Sequence, residues 1–149
     1  MSLSQQIEES YIRALKSKDN SSVSALRMLR SALKNKEIER RRKLEEPEIL
    51  SVLQGLIRQG KEAKEQFEKG GRPDLAEKER VEMEIYSTFL PNQASLSDIE
   101  QVVDGIIFEI KPLGMKDMGK VMKEAMARLS GRAEGKTIQE VVKQKLSSL

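Results

Sequence analysis

The chain has 149 residues, a formal net charge of +3, and neither cysteine nor histidine. This length suits one domain or two small helical lobes, since domains typically span about 50 to 250 residues. The absence of cysteine and histidine excludes thiol nucleophiles, imidazole bases, serine–histidine–aspartate triads and the usual zinc sites. We therefore predict no catalytic residues, no bound metal and no cofactor.

The same composition leads to a prediction of location. A chain without cysteine fits the reducing cytosol. The amino terminus, MSLSQQIEES, has no apolar h-region, and no stretch approaches the roughly 18 consecutive apolar residues of a membrane span. We predict a cytoplasmic protein with no membrane segment.

Apolar residues recur at helical spacing through the first ninety residues and predict four helices. The first covers residues 2–17, and the second begins after a serine cap at Ser21 or Ser22. Pro47 begins the third, because proline is favoured at the first helical position. Pro91 ends the fourth, because a proline disfavours helical geometry in the residue before it.

Three further helices are predicted after this proline. Ser97 and Glu100 fit a capping box that opens the fifth helix, and Thr137 and Glu140 fit a second one that opens the seventh. The sixth covers residues 117–130. Each of the seven helices has one apolar stripe, which is typical of helices that pack into small bundles.

The predicted fold class is therefore all-α. A four-helix bundle-like lobe over residues 1–92 is joined to a three-helix lobe over residues 96–149. Charge is uneven along the chain: residues 1–110 hold 18 Lys/Arg and 20 Asp/Glu, whereas residues 111–149 hold nine and four. Clustered cations attract phosphates, so we predict a basic C-terminal lobe with an anionic partner. A solvated helical surface is the alternative explanation.

One stretch approximates a phosphate-binding loop. Residues 114–121 follow the pattern G-x-x-x-x-G-K-[ST], except that Val121 replaces the hydroxyl residue that would bind Mg²⁺. A phosphate-binding loop follows a strand, whereas residues 105–110 fit a helix. No nucleotide site is predicted. Gly119 is interpreted as a residue at which two helices approach closely, and Lys120 as directed to solvent.

Aromatic and methionine side chains are interpreted as core. The five aromatic residues all lie on apolar stripes or close beside one, so stacking on bases is not expected, and any nucleic acid would be contacted mainly through backbone phosphates and shape, without DNA sequence readout. A methionine-rich sixth helix becomes a protein-binding groove if it is uncovered. The residues concerned are Tyr11, Phe67, Tyr86, Phe89 and Phe108, and Met115, Met118, Met122 and Met126.

A series of motifs occurs in a characteristic order and spacing over nearly the whole chain. They are Leu26-Arg27-Met28-Leu29 with Ala32-Leu33-Lys34-Asn35, Gly70-Gly71-Arg72-Pro73-Asp74-Leu75-Ala76, Phe89-Leu90-Pro91-Asn92-Gln93, Met118-Gly119-Lys120-Val121-Met122, and Gly131-Arg132-Ala133-Glu134-Gly135. Together they resemble the YqeY family, small proteins similar to the C-terminal tail domain of the B subunit of the tRNA-dependent amidotransferase.

The resemblance implies a four-helix lobe joined to a three-helix lobe, and contact with tRNA. In the amidotransferase the tail helps to hold the tRNA, while ligase chemistry belongs to another part of that subunit. A label of glutamine-dependent carbon–nitrogen ligase activity would thus be inherited without catalytic residues. We predict a non-catalytic module that contacts tRNA or structured RNA. The predicted contacts are Lys116, Lys120, Lys123, Arg132, Lys136 and Lys143, and the motif residues assigned to packing are Gly119, Val121, Met122, Gly131, Ala133 and Gly135.

Two alternatives to RNA contact stay open. One is a helical adaptor that binds a protein such as an amidotransferase component or a synthetase. The other is an accessory role in glutamine-dependent carbon–nitrogen ligation.

Overall fold

A computed structural model describes all residues, Met1–Leu149, as seven α-helices and one 3-10 turn, with no strands. The all-α prediction is confirmed. The chain divides into two compact units, Met1–Leu90 and Pro91–Leu149, here called the N-terminal and C-terminal units. None of the helices combines the length and the apolar character that crossing a membrane requires.

The N-terminal unit contains four helices: α1 Leu3–Ser17, α2 Asn20–Arg40, α3 Glu46–Lys69 and α4 Pro73–Ser87. Its buried core draws on all four, and the Tyr86 hydroxyl donates a buried hydrogen bond to the Ala25 carbonyl (2.9 Å). Packing is closest between α3 and α4 at Gly60, where an added Cβ would lie 2.7 Å from Met83 Cγ. The buried core residues are Leu3, Ile7, Ala14, Ala25, Leu26, Leu29, Ile49, Leu50, Leu53 and Tyr86.

The predicted serine cap of α2 is wrong. Lys18 ends α1 in the left-handed conformation (φ 58°), and Asp19 then caps α2. One Asp19 carboxylate oxygen accepts the Ser22 amide (3.2 Å) and the other accepts the Ser22 hydroxyl (2.7 Å). Aspartate is as good an N-cap as serine, and the left-handed turn at Lys18 brings it to that position first.

The C-terminal unit contains α5 Leu96–Ile110, a 3-10 turn at Met115–Asp117, α6 Met118–Arg128 and α7 Gly135–Ser147. Its core is almost wholly aliphatic, with one buried stripe from each helix. The buried residues are Ile99, Val103, Ile106, Val121, Ala125, Leu129, Ile138, Val141, Val142 and Leu146.

Both predicted capping boxes of this unit are wrong in register. Helix α5 begins two residues earlier than predicted, with a reciprocal box between Ser95 and Asp98. The sequence allows both registers, and a tertiary bond favours the earlier one, because the Ala94 amide donates to the Arg132 carbonyl (2.8 Å) immediately before the cap. Helix α7 begins after Glu134, so Thr137 lies inside the helix.

Candidate nucleic-acid interface

Two of the predicted RNA contacts, Lys120 and Lys123, lie on the outer side of α6, and a third, Lys116, lies exposed in the 3-10 turn that leads into it. Lys120 and Lys123 are three residues apart, which places them on one side of the helix, while Val121 and Ala125 on the other side are fully buried. Lys116 and Lys123 form no ion pair. The Lys120 side chain is 76% exposed and reaches only Asp117, at 3.9 Å. We call Lys116, Lys120 and Lys123 the α6 lysine face.

Gly119 adjoins this face and has no packing partner. It precedes Lys123 by four residues, so the two are neighbours on the surface of α6. A Cβ added there would meet nothing within 4 Å. The structure therefore places Gly119 in the open, not at a close helix–helix contact, and leaves the first turn of α6 uncovered beside three cations.

Two more predicted contacts, Lys136 and Lys143, lie on the outer side of α7. They are exposed and form no ion pair, but the exposed carboxylate of Glu140 lies between them at i+4 and i−3. Since α6 and α7 pack together through their buried stripes, these two lysines are directed away from the core on a different helix from the α6 lysine face.

The sixth predicted contact, Arg132, hydrogen bonds to a second loop. Its Nε donates to the Asn92 carbonyl (3.0 Å), and its own carbonyl accepts the Ala94 amide (2.8 Å). Beside it, Gln93 Nε2 donates to the carbonyl of Gly131 (2.8 Å), which turns the chain with φ +72°. Arg132 thus has a structural role at the start of the unit.

Sequence reasoning missed this junction between two of the family motifs. The hydrogen-bonded residues are separated by 38 and 40 positions, and each segment is a non-helical stretch beside a proline or a glycine. No periodicity links such segments. The one indication in the sequence was that both segments belong to the family motifs, and this does not show that they lie close together in the fold.

Of the other motif residues, three contribute to the apolar core and one lies where two helices pass close to each other. Val121 is fully buried, and Met122 and Ala133 pack against the core. An added Cβ at Gly135 would lie 3.4 Å from Met126 Cε, so the start of α7 passes close to α6.

Two of the three cations outside the predicted set are paired with acidic residues of α5. Arg128 bonds Glu109 at 2.6 Å, and Lys145 lies 3.1 Å from Asp104, while Lys111 ends the helix. Helix α5 contains four acidic residues and no Lys/Arg, and the whole C-terminal unit has nine Lys/Arg against eight Asp/Glu. The excess positive charge therefore belongs mainly to the outer sides of α6 and α7, not to the unit as a whole.

Apolar residues are not all internal in this unit. Phe108, predicted to lie on or close beside an apolar stripe, is 79% exposed, as is Leu113. Phe108 follows the buried Ile99 by nine residues, which is two and a half turns and the opposite side of the helix. Met118 and Met122 pack against the core, whereas Met115 and Met126 are exposed.

The loop-like motif at residues 114–121 has no phosphate-loop geometry. It follows helix α5, not a strand, and continues as a 3-10 turn into α6. Asp117 stabilises the turn, because its carboxylate accepts the Leu113 amide at 2.8 Å. No group of three or more acidic side chains is arranged to hold a metal ion.

Comparison with known proteins gives one family match and two kinds of relative. A family model described as "Yqey-like protein" matches residues 4–146. "Altered inheritance of mitochondria protein 41, mitochondrial" of Lachancea thermotolerans is 33% identical over 85% of this chain and 71% of its own length. Its namesake from Eremothecium gossypii is 33% identical, over 66% of this chain and 56% of its own length. A relative from Thermococcus gammatolerans, named as one of the subunits of glutamyl-tRNA(Gln) amidotransferase, is 32% identical over 63% of this chain, but over only 16% of its own length.

These findings contradict the predicted cytoplasmic location. The fungal relatives are named as mitochondrial proteins, not cytoplasmic ones. The prediction used the absence of cysteine and of an apolar h-region. Both features bear on secretion, and neither separates the cytosol from a mitochondrial compartment.

Proposed function

The chain belongs to the YqeY-like family, and on that premise we propose that it is a non-catalytic module that contacts tRNA or structured RNA. The observation that carries the proposal is the α6 lysine face, which has three exposed cations, of which only Lys120 reaches a carboxylate, that of Asp117 at 3.9 Å. The relative named for a glutamyl-tRNA(Gln) amidotransferase supports an RNA of the tRNA class.

The α6 lysine face has the properties that phosphate contact requires. Its three ammonium groups come from the 3-10 turn and the first two turns of α6. Each lysine that neutralises a phosphate releases condensed counterions, which makes binding favourable at low salt. Uncovered backbone at Gly119 leaves room for a phosphate to approach the first turn of α6.

The other three predicted contacts have smaller roles in this proposal. Lys136 and Lys143 flank the exposed Glu140, and the Arg132 guanidinium donates to the Asn92 carbonyl. The acidic residues near the α6 lysine face, Asp117 and Glu124, are engaged by the Leu113 amide and by Arg128. We therefore propose Lys116, Lys120 and Lys123 as the primary contacts. Lys136 and Lys143 are secondary.

Binding of unfractionated tRNA at roughly 50 and 200 mM salt tests the proposal, since phosphate contacts weaken steeply over that range. Wild-type protein should bind at the lower salt, and Lys120→Glu should weaken binding more than Arg132→Glu does. Circular dichroism of both variants checks that the helices persist. Absence of wild-type binding at the lower salt would end the proposal.

A second candidate function is an adaptor that binds a protein such as an amidotransferase component or a synthetase. The observation that favours it is the exposure of Phe108 and Leu113, two large apolar side chains. A pull-down of purified candidate partners that survives nuclease and moderate salt, and that Phe108→Ser abolishes, would favour the adaptor over the RNA module. Loss of the interaction on nuclease treatment would favour RNA.

We propose no reaction for the chain alone, and an accessory role in carbon–nitrogen ligation would depend on a catalytic partner. The relative of the amidotransferase type aligns over 98 residues, a small share of that protein. Glutaminase or amide-transfer turnover by the purified protein would contradict this part of the proposal.

A further inference from the structure

A cavity of about 220 Å³ lies within the N-terminal unit and is lined by residues of α2, α3 and α4. Leu56, Ala63 and Met83 contribute apolar walls, and Glu79 and Glu82 contribute two carboxylates one helical turn apart. The exposed side chain of Met28 lines the cavity as well, so solvent reaches it on that side.

Glu82 is the one buried charged residue of the protein. It is 8% exposed and forms no ion pair, and no fully buried side-chain oxygen of the protein is left without a hydrogen-bond partner, so the Glu82 carboxylate is not an orphaned group. Burial raises the pKa of Glu82, and the negative charge of Glu79 raises it further. The charged form of Glu82 loses part of its hydration here without gaining a paired cation, which makes it less favourable than in water.

On the outer side of α4, by contrast, the carboxylates are paired with a cation. Arg80 bonds Glu77 at 2.7 Å and Glu84 at 2.9 Å, so the outer carboxylates share a cation. The inner pair, Glu79 and Glu82, has no such cation, although Lys78 is near enough to influence the charge of Glu82. The inner side of α4 therefore presents two negative charges to an apolar cavity.

The lining of the cavity limits which ligands could bind beside Glu79 and Glu82. At Gly60, an added Cβ would lie 3.6 Å from Glu79 Oε2, so this carboxylate lies close over α3. Two carboxylates repel anions, and no third acidic ligand is present for a metal ion. An ammonium group has three donors, which two neighbouring carboxylates accept, and its methylene stem suits apolar walls.

We propose that Glu79 and Glu82 form a binding site for a primary alkylammonium group, whose methylene stem packs against Leu56, Ala63 and Met83. The ligand is either a free polyamine or a lysine side chain, which share this chemistry. The site belongs to the N-terminal unit and does not depend on the RNA proposal.

Two probes separate the sources of the ammonium group: 1,5-diaminopentane represents a polyamine, and Nα-acetyl-lysine N-methylamide represents a lysine within a chain. Each is titrated into the full-length protein while the carboxyl carbon of Glu82 is followed by NMR. We expect saturable binding of at least one probe, with a fall in the pKa of Glu82. Glu82→Gln should weaken that binding by roughly tenfold or more, in line with the loss of a charge-assisted hydrogen bond.

Glu65→Gln is the matched control, because it removes the same charge from an exposed position of α3 outside the cavity. It should leave binding unchanged. Binding of the diamine alone identifies a polyamine site, and binding of the lysine amide alone identifies a site for a partner's lysine.

Failure of both probes to saturate, or equal binding by wild type and Glu82→Gln, would overturn the proposal. The pKa of Glu82 is measured on the wild-type protein, so the test does not depend on the folding of a variant. A pKa that is unchanged at saturating probe concentrations would overturn the proposal as well.

Discussion

The N-terminal and C-terminal units have almost balanced charge, and they distribute it in opposite ways. The N-terminal unit holds 18 Lys/Arg and 16 Asp/Glu, and the C-terminal unit holds nine and eight. In the first, acids and bases mix along the same helices, as in the Arg80 pairs with Glu77 and Glu84. In the second, α5 carries acids alone, while the outer side of α6 carries the lysine face. The position of the partners, and not net charge, therefore determines where unpaired cations are exposed.

The largest expected effect is a loss of stability when the apolar core of either unit is disrupted. Leu29 and Leu129 are fully buried, one in each unit. Leu29→Ala and Leu129→Ala should each lower the free energy of unfolding by about 2 to 5 kcal/mol, because each leaves a cavity. Urea denaturation measures the loss, and hydrogen exchange locates it to α1–α4 or α5–α7.

Leu96→Ala provides the control for this pair, since Leu96 is exposed on α5. It should change stability by less than about 0.5 kcal/mol. If Leu129→Ala proved as mild as this control, the C-terminal unit would not have the packed core described above.

The two units also differ at their helical glycines. Gly60→Ala should destabilise the protein by about 1 to 2 kcal/mol, because the new methyl overlaps Met83. Gly119→Ala should stabilise it by up to about 1 kcal/mol, because the position is open and alanine favours helix. Thermal unfolding of both variants gives the two signs. A destabilising Gly119→Ala would show that this glycine packs against something.

These two glycines show which features of the fold can be predicted from the sequence. Both glycines lie in helices whose apolar spacing was readable, so the helices themselves were predicted. Whether another helix packs against a glycine depends on the tertiary structure. The spacing of residues within one helix does not predict it. The caps failed for a similar reason: residues 95–98 and 97–100 both fit a box, and the bond from Ala94 to Arg132 favours one of them.

The candidate site was predictable to the same extent. The shared side of Lys120 and Lys123 follows from their spacing on one helix, which a sequence displays directly, whereas the 3-10 turn that holds Lys116 was not predicted. The role of Arg132 depends on Asn92, forty residues earlier in the chain, and could not be read from local pattern. Equally, the acidic residues of α5 that bind Arg128 and Lys145 come from another helix.

A smaller effect separates Arg132 from the α6 lysine face. Arg132→Gln removes the charge, and Arg132→Lys keeps it, but both disturb the bond to Asn92. Each should weaken the junction by about 1 kcal/mol, the usual net contribution of one hydrogen bond, and should speed exchange of the Ala94 amide. RNA affinity should change little in either variant. A large loss of affinity in Arg132→Gln alone would assign the guanidinium to RNA.

The smallest effect is a pair of opposite pH dependences within the N-terminal unit. Arg42 hydrogen bonds to Glu48 and lowers the pKa of that carboxyl to about 2, whereas burial raises the pKa of Glu82. Glu48 therefore stabilises the fold above its unfolded pKa, and this contribution is lost as the pH falls through the acid range. Glu82 destabilises it as the pH rises, because the folded state then holds a buried charge.

Urea unfolding of Glu48→Gln and Glu82→Gln from acid to neutral pH measures these two contributions. Relative to wild type, Glu48→Gln should lose stability at neutral pH and approach wild type in acid. Glu82→Gln should gain relative to wild type as the pH rises. Differences of the same sign for both variants would contradict the assigned environments.

The central claim is that the α6 lysine face, and not general positive charge, binds RNA. The direct measurement is the dependence of tRNA affinity on salt for two triple variants: Lys116, Lys120 and Lys123 to Ala, and Lys16, Lys61 and Lys69 to Ala. The control lysines are exposed, form no ion pair and lie in the N-terminal unit. Loss of three phosphate contacts should reduce the slope of log K against log salt by roughly 2 to 3, and the control should keep the wild-type slope. Equal slopes for the two triple variants would contradict the claim.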